Sequence, residues 1–465
     1  MKHRGRHRRR RRGRALRATL AGTALALTAA ATLISTSQAA GGDNPGGLTR
    51  VTAAAETARL RLHENLTDRG TLDTLTRAMG GAVGVHDVLA SADHPMRNRS
   101  ACDAAETAAL PVKPAATRVY CWDQGDATTA QWLPRSVTTP GDVGGDGRRG
   151  ADRVILSGWT SGWTHDDRGS GTPAADRGLA RVAFIDANDP GALAYRWVLL
   201  VAPRAGGQDF GPVGTDLTGM VWYQDKLFVT ARDSLLVFDL HRLLKANVDG
   251  TAIGRVRGGY SAHGYQYVLP TVGSYRLTGG PCSTADDRTA PCFSALSLDR
   301  TSAPDSLVAS ESRPRATGRP TRVWRYVFST LPGHGGLLAT DTRGDVRAEE
   351  AYETGASGVQ GVLSHRRSGA AETDWYVDRA PAVGGRHGTL WRQTASGAKA
   401  ATCSADGSQA CWGRHTASLS YWQGTGELWT LTEGATSGDG RQGAGAAGGR
   451  VLYAVPLDSV DDALE

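Results

Sequence analysis

Cys-x-x-Cys occurs nowhere in the 465 residues, so neither a zinc ribbon nor a thioredoxin-type dithiol is encoded. Gly-x-Ser-x-Gly, His-Glu-x-x-His, a Walker A loop and an EF-hand loop are absent as well. Their absence removes the serine-hydrolase elbow, the zincin helix, the phosphate-cradling loop and the calcium hand. Lysine is nearly missing, five against 48 arginines. Beyond Ile34 no apolar run approaches the roughly 20 residues a spanning helix needs, the best being residues 195–202. No cofactor and no metal is implied by any motif.

The formal charge of +7 belongs to one end of the chain. Residues 1–17 hold Lys2 and nine arginines with no acid, an Ala-rich apolar run follows over 18–34, and Ser37-Gln38-Ala39 has small residues where a signal peptidase reads them. This is the layout of a secretory signal, residues 1–39. An uncleaved anchor is the weaker reading, because the run is only 17 residues long. Cleavage after Ala39 leaves 43 basic against 46 acidic residues, a net charge of −3. A nucleic-acid surface therefore has no support. The mature protein is expected to be secreted and extracellular, with no stable membrane span, as a monomer.

The six cysteines agree with export. Cys102 and Cys121, Cys282 and Cys292, and Cys403 and Cys411 fall as three local couples. Short Gly/Ser/Asp-rich stretches separate the members of the last two, and each couple is expected to close a loop as a disulfide.

Gly 60 and Pro 19 make about 17% of the chain, above the usual 12% or so, which points to many turns. Residues 40–120 read as a linker and a helical N-terminal segment. Val51, Ala55, Ala58 and Leu62 recur at helical steps over 48–66, and Leu72, Leu75 and Met79 over 71–79, with Gly80 as the stop. A short helix fits 240–246. From about Thr128 onward the text is strands and turns in a set order. The clearest copy is Thr218 to Trp222, then Lys226 to Thr230, then Leu235 to Leu240. Others begin near Gln131, Phe293, Gly358 and Ala417. Stacking such groups around an axis buries both faces of each sheet. The fold class is all-β, a single β-propeller of about five blades over 121–457, with six or seven left open and a sandwich pair as the weaker reading. Residues 458–465 read as a C-terminal tail.

The run Gly-Met-Val-Trp-Tyr-Gln-Asp-Lys-Leu-Phe-Val-Thr from Gly219, with Leu-Leu-Val-Phe-Asp-Leu after it, resembles blades of bacterial secreted β-propeller proteins. The arginine-rich chain as a whole is similar to uncharacterised actinobacterial secreted β-propeller-like proteins. The resemblance spans about 128–457 and implies fold and export.

Isolated motifs carry little chemistry. His63-Glu64 reads as helix surface, and Ser261 with His263 as neighbours on a strand. His165-Asp166-Asp167, Asp142 and Asp146 read as solvated loops, and Arg343-Gly344-Asp345 as a turn. By fold analogy, ligands of such rings sit at one mouth of the central channel. The starts of the five inner strands carry Arg135, Asp216, Ser294, Gln360 and His415. Arg135, Asp216, Gln360 and His415 are the expected ligand-binding residues. The leading function is a binding module for a carbohydrate, peptide or cell-envelope ligand, with twelve Trp and twelve Tyr as platforms. The alternatives are an extracellular hydrolase or lyase using Asp216 with His415 as acid and base, and an envelope-docked partner protein.

Overall fold

The computed structural model describes residues 44–464, apart from 140–151, 162–177, 285–288, 314–318, 382–385, 406 and 435–448. The expected signal, Asp142, Asp146 and His165 to Asp167 lie outside the described residues. Residues Asp43–Glu465 form one compact unit. No helix among the described residues is long and apolar enough to cross a membrane.

The fold is all-β. Sheet 1 is Trp132–Thr138, Val154–Ser161, Ala180–Asp186 and Ala194–Pro203, paired antiparallel in that order. Sheet 2 is Met220–Tyr223, Lys226–Ala231, Ser234–Asp239 and Tyr267–Leu277. Sheet 3 is Phe293–Asp299, Ser306–Glu311, Thr321–Val327 and Glu350–Thr354. Sheet 4 is Val359–His365, Asp374–Arg379, Thr389–Thr394 and Gly397–Ala400. Sheet 5 is Thr416–Trp422, Glu427–Thr432 and Val451–Pro456, and takes its fourth strand, Arg118–Cys121, from far upstream. The leading strand of each sheet touches the leading strand of the next, and the fifth touches the first. Many strands are buried on both faces, as all eight residues of Val154–Ser161 are. That is why these strands read as continuous apolar and small-residue runs rather than a clean alternation.

Glycine sets the approach of the leading strands. A Cβ on Gly219 would lie 2.5 Å from the main-chain nitrogen of Leu296, and one on Gly361 would lie 2.7 Å from Cγ of Leu419. The first contact cannot yield, because it is backbone. Gly219→Ala is expected to cost about 1–3 kcal/mol through overpacking, read as a lower midpoint in urea. An unchanged midpoint would mean that sheets 2 and 3 separate freely.

Sheets 1 and 2 are also joined at their outer edges. Val198–Val201 runs parallel to Tyr267–Pro270, so eight strands follow one another along a single path. The first and last strands of that path touch, which makes a nearly closed, barrel-like sheet. Its inside is packed by Leu156, Phe184, Leu200, Leu217, Trp222 and Val229, among others. Helix Val85–Ala90 covers part of it with Val85, Val88 and Leu89.

The N-terminal segment is a belt. Gly46 and Leu48 bond to Gln393 and Thr394 of sheet 4. Thr49–Arg50 pairs with sheet 3, Leu62–Leu66 with sheet 2 and His94–Pro95 with sheet 1, before Arg118–Cys121 enters sheet 5. The belt thus meets all five sheets, pairing with the outer strands of sheets 3, 2 and 1 and supplying that of sheet 5, and it satisfies backbone groups that an open edge strand would expose. This corrects the helix expected over 48–66. Only Ala54–Ala58 is helical, because the residues on either side extend to pair with sheets 3 and 2. The helix expected at 71–79 is present as Arg69–Ala78, capped by the Asp68 carboxylate, which accepts from Thr71 N at 2.8 Å. The stretch expected as a helix at 240–246 is one 3₁₀ turn, Leu240–Arg242, followed by strand Leu243–Lys245. The expected C-terminal tail holds helix Leu457–Asp462, whose Asp461 accepts from Tyr376 and Arg392 of sheet 4.

The three disulfides are Cys102–Cys121, Cys282–Cys292 and Cys403–Cys411, with Cα separations of 5.7, 4.9 and 5.7 Å. Cys102–Cys121 ties the belt to the strand that completes sheet 5.

Candidate functional site

Past Val201 the outer strand of sheet 1 turns away to pair with Phe210–Pro212. Past Pro270 the outer strand of sheet 2 shifts register opposite Val237 and Phe238 and takes on the belt strand Leu62–Leu66. The two edges diverge, and a cavity of about 610 Å³ opens between them. That volume falls within the usual range of small-ligand sites. Its polar lining includes Asp216, Arg232, Asp233, Thr271, Ser274 and Arg276.

Asp216 is the most constrained of these groups. It is 9% exposed. Its Oδ1 accepts from the Thr230 hydroxyl at 3.1 Å, and its carboxylate also accepts the main-chain N–H of Arg232. Burial pushes its pKa above the usual carboxylate range, and the positive charge of Arg135 pulls the other way. The backbone around it is strained: Leu217 has φ 52° and Arg232 has φ 40°. Such conformations are unfavourable for residues with a Cβ and collect at sites that need a fixed geometry. Arg232 turns its main-chain donor on Asp216, and Leu217 turns its own on the Thr230 carbonyl.

Arg135 lies on the leading strand of sheet 1, and its Nη1 donates to Glu433 at 2.7 Å. The main-chain N–H of Glu433 donates to the carbonyl of His415 at 3.0 Å, so Arg135 and His415 meet through Glu433. His415 has φ 48°, and its Nε2 is buried without a hydrogen-bond partner. Ser294 Oγ donates to the Val359 carbonyl at 3.2 Å, beside half-buried Gln360 at a bulge in sheet 4. Arg135, Glu433 and His415 are linked, and Arg135 acts on Asp216 through its charge. Only Asp216 of the four lines the cavity. The acid–base pair expected of Asp216 and His415 is not assembled. The carboxylate is taken by Thr230 and the Arg232 amide, and the imidazole stands outside the lining.

The aromatic platforms are also corrected. Eleven of the tryptophans lie among the described residues and all are buried, and no tyrosine is exposed. None lines the cavity. Large rings are the cheapest apolar area for filling wedges between sheets, and that is where they go. Arg181 illustrates the packing. Its guanidinium lies 3.5 Å from the ring centre of Trp197 and 4.3 Å from that of Trp132.

His63-Glu64 is strand rather than helix surface: Glu64 accepts from Tyr275 OH at 2.6 Å and lies 3.0 Å from His334 Nε2. Ser261 donates to the Gly250 carbonyl and His263 Nδ1 lies against the Thr251 carbonyl, so the two do not pair. Arg343-Gly344-Asp345 is a turn, with Gly344 at φ 80°. Asp225, Asp239 and His241 are close enough to hold a metal ion. Lys226 Nζ is already paired with both carboxylates and neutralises the cluster.

Arg232 and Arg276 were missed by sequence reasoning, since each lies in an ordinary hairpin or strand with no local mark. No protein-family model matches the chain, and no curated protein matches it significantly.

Proposed function

We propose that the chain is a secreted, five-bladed β-propeller that binds a peptide-class ligand in the cleft between its first two blades. The five sheets supply the blades, with their leading strands innermost and in mutual contact. Three disulfides and the basic–apolar–small-residue leader support export. The carrying observation is Asp216, a buried carboxylate between two strained residues in a cavity of ligand size. Peptide is favoured over carbohydrate because both signs of charge line the cleft and no aromatic face does. A binding role needs no assembled acid–base pair.

The test compares the mature protein with a Ser274→Trp variant, whose indole fills the cleft from a residue already 9% exposed. Pools of short peptides are titrated while the melting temperature is read. Ligand at a hundred times its Kd stabilises by about 2.7 kcal/mol. The wild-type protein is expected to gain stability and the filled variant to gain none. Equal gains in both would place binding elsewhere and overturn this reading.

A further inference from the structure

We propose that the cleft takes its peptide amine first, with the free α-ammonium group against Asp216 and the chain running outward past Arg276. This rests on the peptide-binding reading and adds direction and terminus to it.

Among the described residues no cation lies within ion-pair distance of Asp216. Its nearest electrostatic support, Arg135, is already bonded to Glu433 at 2.7 Å. The donors Asp216 does have are neutral: a threonine hydroxyl and main-chain N–H groups. A carboxylate taken out of water with only neutral donors is costly, and an opposite charge returns part of that cost. The exposed side of Asp216 is the cleft, so the missing cation has one route in.

The rim selects which cation. Arg232 and Arg276 are exposed residues of the same cleft, with Asp233 half-buried between the strands. A bare cation has nothing to gain from the two rim arginines. A dipolar ligand satisfies both ends, with its ammonium inward on Asp216 and its carbonyls or carboxylate outward on Arg276. Thr271 and Ser274, each 9% exposed, line the path with hydroxyls that suit a peptide backbone. A short peptide with a free N-terminus has this charge order.

The experiment uses the mature protein and three tripeptide pools lacking Lys and Arg, in free, N-acetylated and C-amidated form. Thermal shift and calorimetry read the binding. The free and C-amidated pools are expected to bind and the N-acetylated pool to bind about 30-fold more weakly, the effect of removing one partner of a buried charge pair. Asp216→Asn, which keeps the shape, is expected to lose the same factor for the free pool without lowering the melting temperature of the unliganded protein. N-acetylated peptides binding as well as free ones would overturn the amine-first inference and leave the peptide cleft standing. No binding by any pool would overturn both. An Asp216→Asn protein that is itself destabilised would show that the carboxylate serves the fold, and would overturn the inference too.

Discussion

Arg181→Met is expected to remove about 3–5 kcal/mol of stability, the cost of leaving one member of a buried ion pair alone. Arg181 Nη2 donates to Asp126 Oδ1 at 2.7 Å, and the two residues are 5% and 8% exposed. The other carboxylate oxygen accepts from Tyr195 OH at 2.5 Å and from Trp197 Nε1 at 3.1 Å. Methionine fills much of the space among the rings of Trp132, Trp159 and Trp197 but brings no charge. Asp126 is then a buried anion whose carboxylate has two neutral donors, with Arg450 acting on it only through its charge. The double variant Arg181→Met, Asp126→Asn should recover much of the loss, because it removes the stranded charge as well. Urea denaturation of the four proteins completes the cycle. A single-variant loss under about 1 kcal/mol, or a double variant no better than Arg181→Met, would refute this account.

The second large effect depends on pH. Asp378, fully buried, holds its proton up to about pH 7, chiefly because burial disfavours the ion. The Thr416 hydroxyl, donating to its Oδ1 at 2.8 Å, opposes this, and the charge of Glu433 adds to it. Oδ2 has no hydrogen-bond partner. In the unfolded chain the same group ionises near pH 4. Between those values the unfolded state gains from losing the proton while the folded state keeps it. The wild-type protein is therefore penalised progressively from about pH 4 to pH 7, by a total on the order of 4 kcal/mol. Above pH 7 the penalty stays constant. Asp378→Asn keeps the acceptor for Thr416 and has no proton to lose. Its stability advantage over the wild type should be small at pH 4 and grow to its full size by pH 8. Parallel stability curves across that range would contradict the assignment.

The first three strands of each sheet could be read from the sequence because each is a local pattern with turn residues at both ends. Lys226 to Thr230 and Leu235 to Leu240 are adjacent, so their pairing follows from proximity along the chain. The disulfides were legible for the same reason, each being a short loop. The belt was not. Thr49–Arg50 and His94–Pro95 are two-residue strands, too short to carry a period, and their partners lie some 300 and 100 positions away. At 48–66, small alanines at helical spacing outweighed Leu60 and Leu62, both fully buried two residues apart. The cleft was hidden for a related reason. It exists because two outer strands from different sheets run parallel and then part, and nothing within either strand marks the parting. Asp216 was within reach because it lies in the loop that leads into a leading strand. Arg276 was not, since it is one exposed residue near the end of the long strand Tyr267–Leu277, with no turn or motif to mark it. The tryptophans show the limit of composition, which counts rings without saying which side of a sheet they face.

The belt also bears on what a single cut does to the molecule. Its segments cross the sheets in the order four, three, two, one, five, opposite to the order in which the chain builds them. A protease that opens any one loop of the sheets therefore leaves two pieces that are still laced together, the upstream piece through its strands along the downstream edges. The nicked protein should migrate as intact until it is denatured. Two separately made halves, split between sheets 2 and 3, carry the edge pairings needed to find each other and rejoin.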